Sequence, residues 1–292
     1  MNILPVFCDI DDFCLIFEPL WHRRLLQSGA ARRNKPNALA LSEVMTILIL
    51  FHCSGYRNLK TFYTQYVQKH LVWAFPRLVS YNRFVELQRE ALVPLWCYLQ
   101  TRKGSCTGVA FVDATTLAVC HNLRIPSHKV FWDSARRGQS SMGWFYGFKL
   151  HLVINDCGEL LGSYLTPGNV DDRRPVPHMV KDLWGRLFGD KGYISQPLAT
   201  LLQAQDLRLV TKLRKNMKNR FLAGSDKLLL RKRALIETIN DQLKNISQIE
   251  HTRHRSLWNF LGNVAAGLIA YSWREKKPSL NISVKEQFLI SN

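Results

Sequence analysis

The seven cysteines of the 292-residue chain include no C-x-x-C pair. An odd set without close spacing argues against both a zinc ribbon and a secreted disulfide framework. His251 and His254 have no cysteine nearby and read as basic surface. No secretory leader is expected: "MNILPVFCDIDDFC" puts Asp9, Asp11 and Asp12 where a signal peptide needs a basic start and an unbroken apolar stretch. The apolar C-terminal stretch "LWNFLGNVAAGLIAYSW" is short for a membrane span and interrupted by Asn259 and Asn263. It is expected to be a buried helix, with no membrane partner. Together these absences predict a soluble cytoplasmic protein. No G-x-x-x-x-G-K-[ST] occurs, against ATP-driven work, and no internal repeat is present.

Acids are scarce. Asp and Glu number 22 against 40 Lys and Arg, a net charge of +18, with pI ≈ 9.8. That excess points to a polyanion, DNA first, through phosphate neutralisation and counterion release; an acidic membrane surface or protein partner is the alternative. Between Arg208 and Arg255 stand 13 lysines and arginines against four acids, half of the net charge. The densest part, "TKLRKNMKNRF", offers Lys212, Arg214, Lys215, Lys218 and Arg220 as phosphate contacts, and Arg136 and Arg137 are expected to meet DNA as well. An apolar fraction of 47% supports one large domain or a domain with an appendage.

The first hundred residues read as helical. "LSEVMTILILFHCSG" starts at a candidate N-cap, Ser42, and stops at Gly55. "RNLKTFYTQYVQKHL" follows, and "SYNRFVELQREALVPLWCYL" opens on Ser80. Tyr81, Asn82 and Arg83 at that helix start fit a DNA-reading domain, or equally a plain helical scaffold. After "TRKGSCTG" the pattern turns to strands: "VAFVDATTLAV", a hairpin "WFYGFKLHLVINDCGELLGSYLTPG", then "LFGDKGY" and "LRLVTKL" alternating with helices, "RRPVPHMVKDLWGR" among them. This order predicts a mixed α/β sheet. The expected division is a helical DNA-binding region over 1–103, a catalytic domain over 104–275 and a tail over 276–292.

Three carboxylates stand out. Asp113 ends the run Val109–Val112 and shares a strand face with Val109 and Phe111, at the edge of an apolar surface. Taken alone, Thr115, Thr116 and a backbone turn could satisfy it. Asp190 follows a short apolar strand in "LFGDKGY", either as an exposed functional group or as a turn aspartate beside Gly192. Glu237 lies in "LLLRKRALIETINDQLKNI", whose Leu228, Leu235, Ile236, Ile239, Leu243 and Ile246 form one stripe of a helix. Glu237 faces the other way, with Arg233 and Lys244 on its side, so an exposed Arg–Glu pair is one reading and a metal ligand the other. Asp171 and Asp172 could be ligands, but they precede an expected helix start where acids suit the dipole; Asp156 belongs to the hairpin turn, and Asp9, Asp11 and Asp12 read as a solvated or capping cluster. Oxygen-only ligands in a basic field suit Mg²⁺ or Mn²⁺, and two such ions serve phosphoryl transfer. A glycosidase also pairs carboxylates, but it needs no such charge.

"FVDATTLAVC", "FGDKGYIS" and "LRKRALIETINDQLK" together resemble bacterial insertion-sequence transposases with a DDE triad, most closely the group named after insertion sequence nine-eighty-two. The last segment resembles the Y-(2)-R-(3)-E-(6)-K signature at Arg233, Glu237 and Lys244, with Leu230 in place of the tyrosine. "HLVINDCGELLGSYLTPGNVDDRRP" and "NFLGNVAAGLIAYSW" are similar to family segments too. The resemblance covers nearly the whole chain. It implies an RNase H-like domain in which Asp113, Asp190 and Glu237 hold two divalent ions, Mg²⁺ or Mn²⁺. It implies that water cleaves the element's end and that the freed 3′-OH attacks target DNA. Arg233 and Lys244 would contact the terminal inverted repeats, and the enzyme would work as a homodimer or larger assembly at the bacterial nucleoid. A nuclease of the same fold without strand transfer, or a non-catalytic DNA-binding derivative, are the alternatives.

Overall fold

The computed structural model describes residues 2–29, 37–212, 223–250 and 254–280. The elements run α1 (Ile3–Gln27), α2 (Leu41–Cys53), α3 (Leu59–Thr61) and α4 (Gln68–His70) joined by a π-helical stretch, α5 (Tyr81–Glu90) and α6 (Leu92–Thr101). Then come β1 (Val109–Cys120), β2 (Arg136–Ser140), β3 (Gly143–Asn155), β4 (Leu160–Pro167), α7 (Val176–Met179), β5 (Gly185–Gly189), α8 (Gln196–Gln203) and β6 (Leu207–Thr211). The last helices are α9 (Gly224–Lys232), α10 (Ala234–Asn245) and α11 (Leu257–Ser272).

The chain forms two compact units, one of residues 1–102 and 243–273 and one of residues 103–242 and 274–292. The first is helical. Its core holds Ile10, Met45, Phe84, Leu95, Phe260 and Val264. α11 is buried from Gly262 to Tyr271 and packs on α2, α5 and α6. It therefore counts with the helical unit, whereas the sequence reading grouped it with the sheet. Asp9 is no loose acid: it accepts from the Tyr98 hydroxyl and lies 3.6 Å from Arg102.

Local chemistry moves three expected boundaries. α2 begins one residue before Ser42, which is buried; Glu43 reaches back to the Ala40 N–H at 2.7 Å and does the capping instead. The stretch after Ser80 is two helices parted at Ala91, because Pro94 has no N–H to continue the ladder. Ser80 does cap, its Oγ accepting from the Arg83 N–H at 3.4 Å. The helix expected in "RRPVPHMVKDLWGR" shortens to Val176–Met179.

The second unit is a six-stranded sheet in the order β2-β3-β1-β5-β6, with β4 also on β3. β3 runs antiparallel to β1. Its other edge takes β2 along Gly143–Gly147 and β4 along Phe148–Ile154. β5 is parallel to β1, and β6 to β5. This curled mixed sheet with its helices fits an RNase H-like arrangement. β2 was not legible in the sequence: "RRGQS" has no apolar alternation, and cross-strand pairing alone makes it a strand.

Pleat alternation gives the two faces separate roles. Ala110, Val112 and Leu187 point into a core with Val176, Met179, Leu198 and Leu202 of α7 and α8. On the other face, Phe111 packs against Phe188, the tilted rings having centroids 5.5 Å apart. Arg186 and Arg208 are register partners on β5 and β6, a like-charge pair that would repel. Asp226 of α9, 1% exposed, sits 3.4 Å from Arg186 and 2.5 Å from Arg208. It offsets that repulsion and ties α9 to the sheet.

Candidate active site

Strand register brings Asp113 and Asp190 together. Phe111 pairs with Phe188 at the end of the β1–β5 ladder, and each aspartate lies two residues further on. Asp113 therefore sits within β1 rather than at its end, but beyond the last residue that β5 covers. β1 goes on to Cys120 because β3 still pairs with it. Asp190 caps the short turn Lys191–Tyr193, its Oδ1 accepting from the Gly192 N–H at 2.8 Å. A Cβ on Gly192 would stand 2.9 Å from that same oxygen, so glycine leaves the carboxylate its place.

The expected single helix around Glu237 is broken at Arg233, between α9 and α10. The break aims the Arg233 side chain at both acids: it pairs with Glu237 and lies 3.5 Å from Asp113 Oδ1. Asn240, one turn after Glu237, donates from Nδ2 to Asp113 Oδ2 at 2.9 Å. Leu235, Ile236, Ile239 and Leu243 are buried as the stripe requires, while Ile246 is exposed. Leu230, in the tyrosine position of the signature, is 4% exposed and belongs to the core.

The electrostatics follow from this packing. Burial pushes the Asp113 carboxyl up to about 6; Arg233 pulls it back, Asp190 pushes it up, the Ala114 N–H lowers it and Glu237 raises it again. Asp113 thus feels both other carboxylates. The Glu237 side chain is 55% exposed, that of Arg233 18%.

Among the described residues, no three His, Cys, Asp or Glu side chains stand close enough to hold one metal ion. Arg233 places a positive charge between Asp113 and Glu237. The donor set still fits a hard divalent cation: the three side chains are carboxylates, and the buried Asn240 Oδ1 beside them has no hydrogen-bond partner among the described residues. Asn240 was missed in the sequence, although it shares the helical face of Arg233 and Glu237. Tyr193 was missed as well. Its buried hydroxyl is without a partner among the described residues, and burial first, then Asp113, Asp172 and Asp190, push its ionisation upward.

The other acids have local partners. Asp171 pairs with Arg173 at 2.5 Å, whose hydrogen bonds hold its carboxyl down at about 2. Asp172 pairs with Lys149 at 2.9 Å, and Asp156 accepts from Thr107 at 2.6 Å. Of the basic candidates, Lys212 follows the Gly189–Thr211 pair, as Asp190 does on the neighbouring strand. Arg136 and Arg137 lie exposed on β2. Arg214, Lys215, Lys218 and Arg220 lie outside the described residues. In the helical unit, Lys244 is 3.4 Å from Glu250. There too, Arg83 pairs with Glu86, Asn82 is exposed and Tyr81 stands beside Tyr63.

A family model described as the transposase DDE domain matches residues 103–257, more than half of the chain. No curated protein sequence matches the chain. No described helix is long and apolar enough to cross a membrane. The match spans the strands that carry Asp113 and Asp190 and the helix that carries Glu237, and the chain belongs to the DDE transposase family, metal-dependent enzymes that process nucleic acid.

Proposed function

We propose that this transposase cleaves DNA at the terminal inverted repeats of an insertion sequence and joins the freed 3′-OH to target DNA. In this reading it belongs to the group named after insertion sequence nine-eighty-two. Asp113, Asp190 and Glu237 would hold two Mg²⁺ or Mn²⁺ ions. Bound there, the ions would lower the cost of charge on the attacking and leaving oxygens. The observation that carries the reading is the Asp113–Asp190 register with Glu237 joined to Asp113 through Arg233.

The chain's own residues divide the work. Asn240 orients Asp113 by donating to Oδ2, and Gly192 holds Asp190 through its N–H. Arg233 neutralises Asp113 and Glu237 until DNA arrives, then turns to the phosphate of the bound strand. Lys212, Arg214, Lys215, Lys218, Arg220, Arg136, Arg137 and Lys244 supply backbone contacts, and the helical region with Tyr81, Asn82 and Arg83 adds the DNA-reading surface. A homodimer or larger assembly pairs the two ends at the nucleoid.

The test is cleavage and joining on DNA carrying the element's terminal repeats, with Mg²⁺. Asp113→Asn, Asp190→Asn and Glu237→Gln are each expected to abolish both steps and keep DNA binding. Full activity of Glu237→Gln would remove it from the triad. A wild type that cuts and never joins would make the enzyme a nuclease.

A further inference from the structure

Between β1 and β3 the sheet unit carries apolar side chains in water. Met142 at the β2–β3 turn is 96% exposed, Trp132 67% and Trp144 57%. The backbone beneath them is anchored. Phe131 is buried, the Tyr146 hydroxyl donates to its carbonyl at 3.3 Å, and Asn122 Nδ2 donates to the Trp144 carbonyl at 2.8 Å. Basic groups interleave with the indoles. The Arg137 guanidinium lies 5.7 Å from the Trp144 ring centroid, and Arg136 donates to the Trp132 carbonyl at 3.0 Å. From His121 to Tyr146 the chain has four Lys or Arg and one acid, Asp133.

The geometry points to this hairpin as a platform for unstacked DNA bases, with Trp132 and Trp144 as the stacking surfaces. The inference rests on DNA as the substrate. A paired duplex presents phosphates and groove edges, against which an exposed indole face and a thioether gain little. An unstacked base offers a flat apolar face of matching size, while Arg136 and Arg137 meet its phosphates. The surplus positive charge argues against a second copy of this basic chain as the occupant.

The location is distinctive. Asp113 pairs with Leu152 on β3, and Trp144 lies eight residues nearer the start of that strand. At about 3.3 Å per residue the separation is roughly 26 Å. The bases taken up would lie some seven to eight steps from the cleavage point, at about 3.4 Å per step. The hairpin would thus hold a distorted flank rather than the reacting nucleotide.

The experiment uses the full chain, without divalent metal, and three fluorescein-labelled 30-nucleotide probes: a paired duplex, the same duplex with a central four-base bubble carrying 2-aminopurine, and the single strand. Anisotropy should show the bubble bound more tightly than the duplex, by roughly 5- to 150-fold for each stacked base, with 2-aminopurine quenched. Trp132→Ala/Trp144→Ala should abolish that preference and leave duplex affinity within about twofold; these exposed side chains are dispensable for folding, which an unchanged melting curve checks. A double variant that retains the preference, or that loses duplex and bubble binding equally, would overturn the inference. A changed sedimentation profile with the preference intact would make the hairpin a self-contact and also overturn it. Equal wild-type binding to bubble and duplex would defeat the platform alone, whereas no binding to any probe would defeat DNA as the substrate.

Discussion

Asp113 and Asp190 each stand two residues beyond the same registered pair, Phe111 and Phe188, on neighbouring parallel strands. Parallel register carries the two chains forward side by side, so two acids 77 positions apart in sequence come within electrostatic reach. The relation depends on where the β1–β5 ladder stops. Two more pairs of ladder residues would cover the flank of Asp113 that this arrangement leaves open.

Arg233 is the internal cation of the site. Replacing it with glutamine should leave Asp113 and Glu237 uncompensated and strengthen Mn²⁺ binding in the absence of DNA. A gain of about 1 kcal/mol, roughly fivefold, fits a partly screened charge. Titration calorimetry of the DNA-free protein reads it, and cleavage should fall in the same variant. Unchanged or weaker Mn²⁺ binding would contradict the internal-cation role.

Asn240 acts on Asp113 through one hydrogen bond. In Asn240→Ala, single-turnover cleavage should drop about 10- to 100-fold, as for lost partners of metal ligands, and the Mg²⁺ concentration for half-maximal rate should rise. Asn240→Gln should restore part of the rate if the amide can still reach. A Mg²⁺ dependence like that of the wild type would reduce Asn240 to a packing residue.

Asp226 is the buried anion between Arg186 and Arg208. Asp226→Ala removes the counter-ion and leaves two register-paired arginines facing each other. Breaking a buried pair from one side costs about 3–5 kcal/mol, and the exposed Arg208 moderates this towards about 2–4. Urea unfolding of the full chain reads the loss, and a change under about 1 kcal/mol would show that α9 is held by apolar packing alone.

His52 makes the helical unit sensitive to acid. It is buried, with Nδ1 2.5 Å from the Ser247 carbonyl, and burial lowers its pKa to about 4. His254, lowered to about 4 chiefly by burial and then by His52, behaves alike. In the unfolded chain both titrate near 6.5. Between pH 6.5 and 4 the unfolded state therefore takes up protons that the native state refuses, and stability falls as pH falls. The slope is about 1.4 kcal/mol per pH unit for each histidine. Denaturant titrations from pH 7.5 to 4 should show it, and His52→Gln should remove about one proton's share. A flat profile in the wild type would contradict the buried neutral state.

Much of the site could be read without coordinates, because strand alternation and helix periodicity act over a few residues. The β1, β3, β4, β5 and β6 runs, the Ser80 cap and the burial of "NVAAGLIAY" follow from local pattern and side-chain size. The Arg233–Glu237 pair is likewise a four-residue relation. Asn240 had the right helical phase and went unnoticed because an amide carries no charge to mark it. The break at Arg233 had no glycine or proline to announce it.

What the sequence determined by itself was the DDE family, the basic field and the acidic character of the three candidate site residues, since motif spacing and charge are properties of the chain. Only tertiary structure decided what meets Asp113. The β1–β5 register, the length of β1 and the turn of Arg233 toward two acids are settled by pairings between distant segments. They depend on β3 holding β1 past the end of β5, and on α9 being tied to Arg186 and Arg208 through Asp226. Such contacts are cooperative outcomes of packing, with no local periodicity to record them.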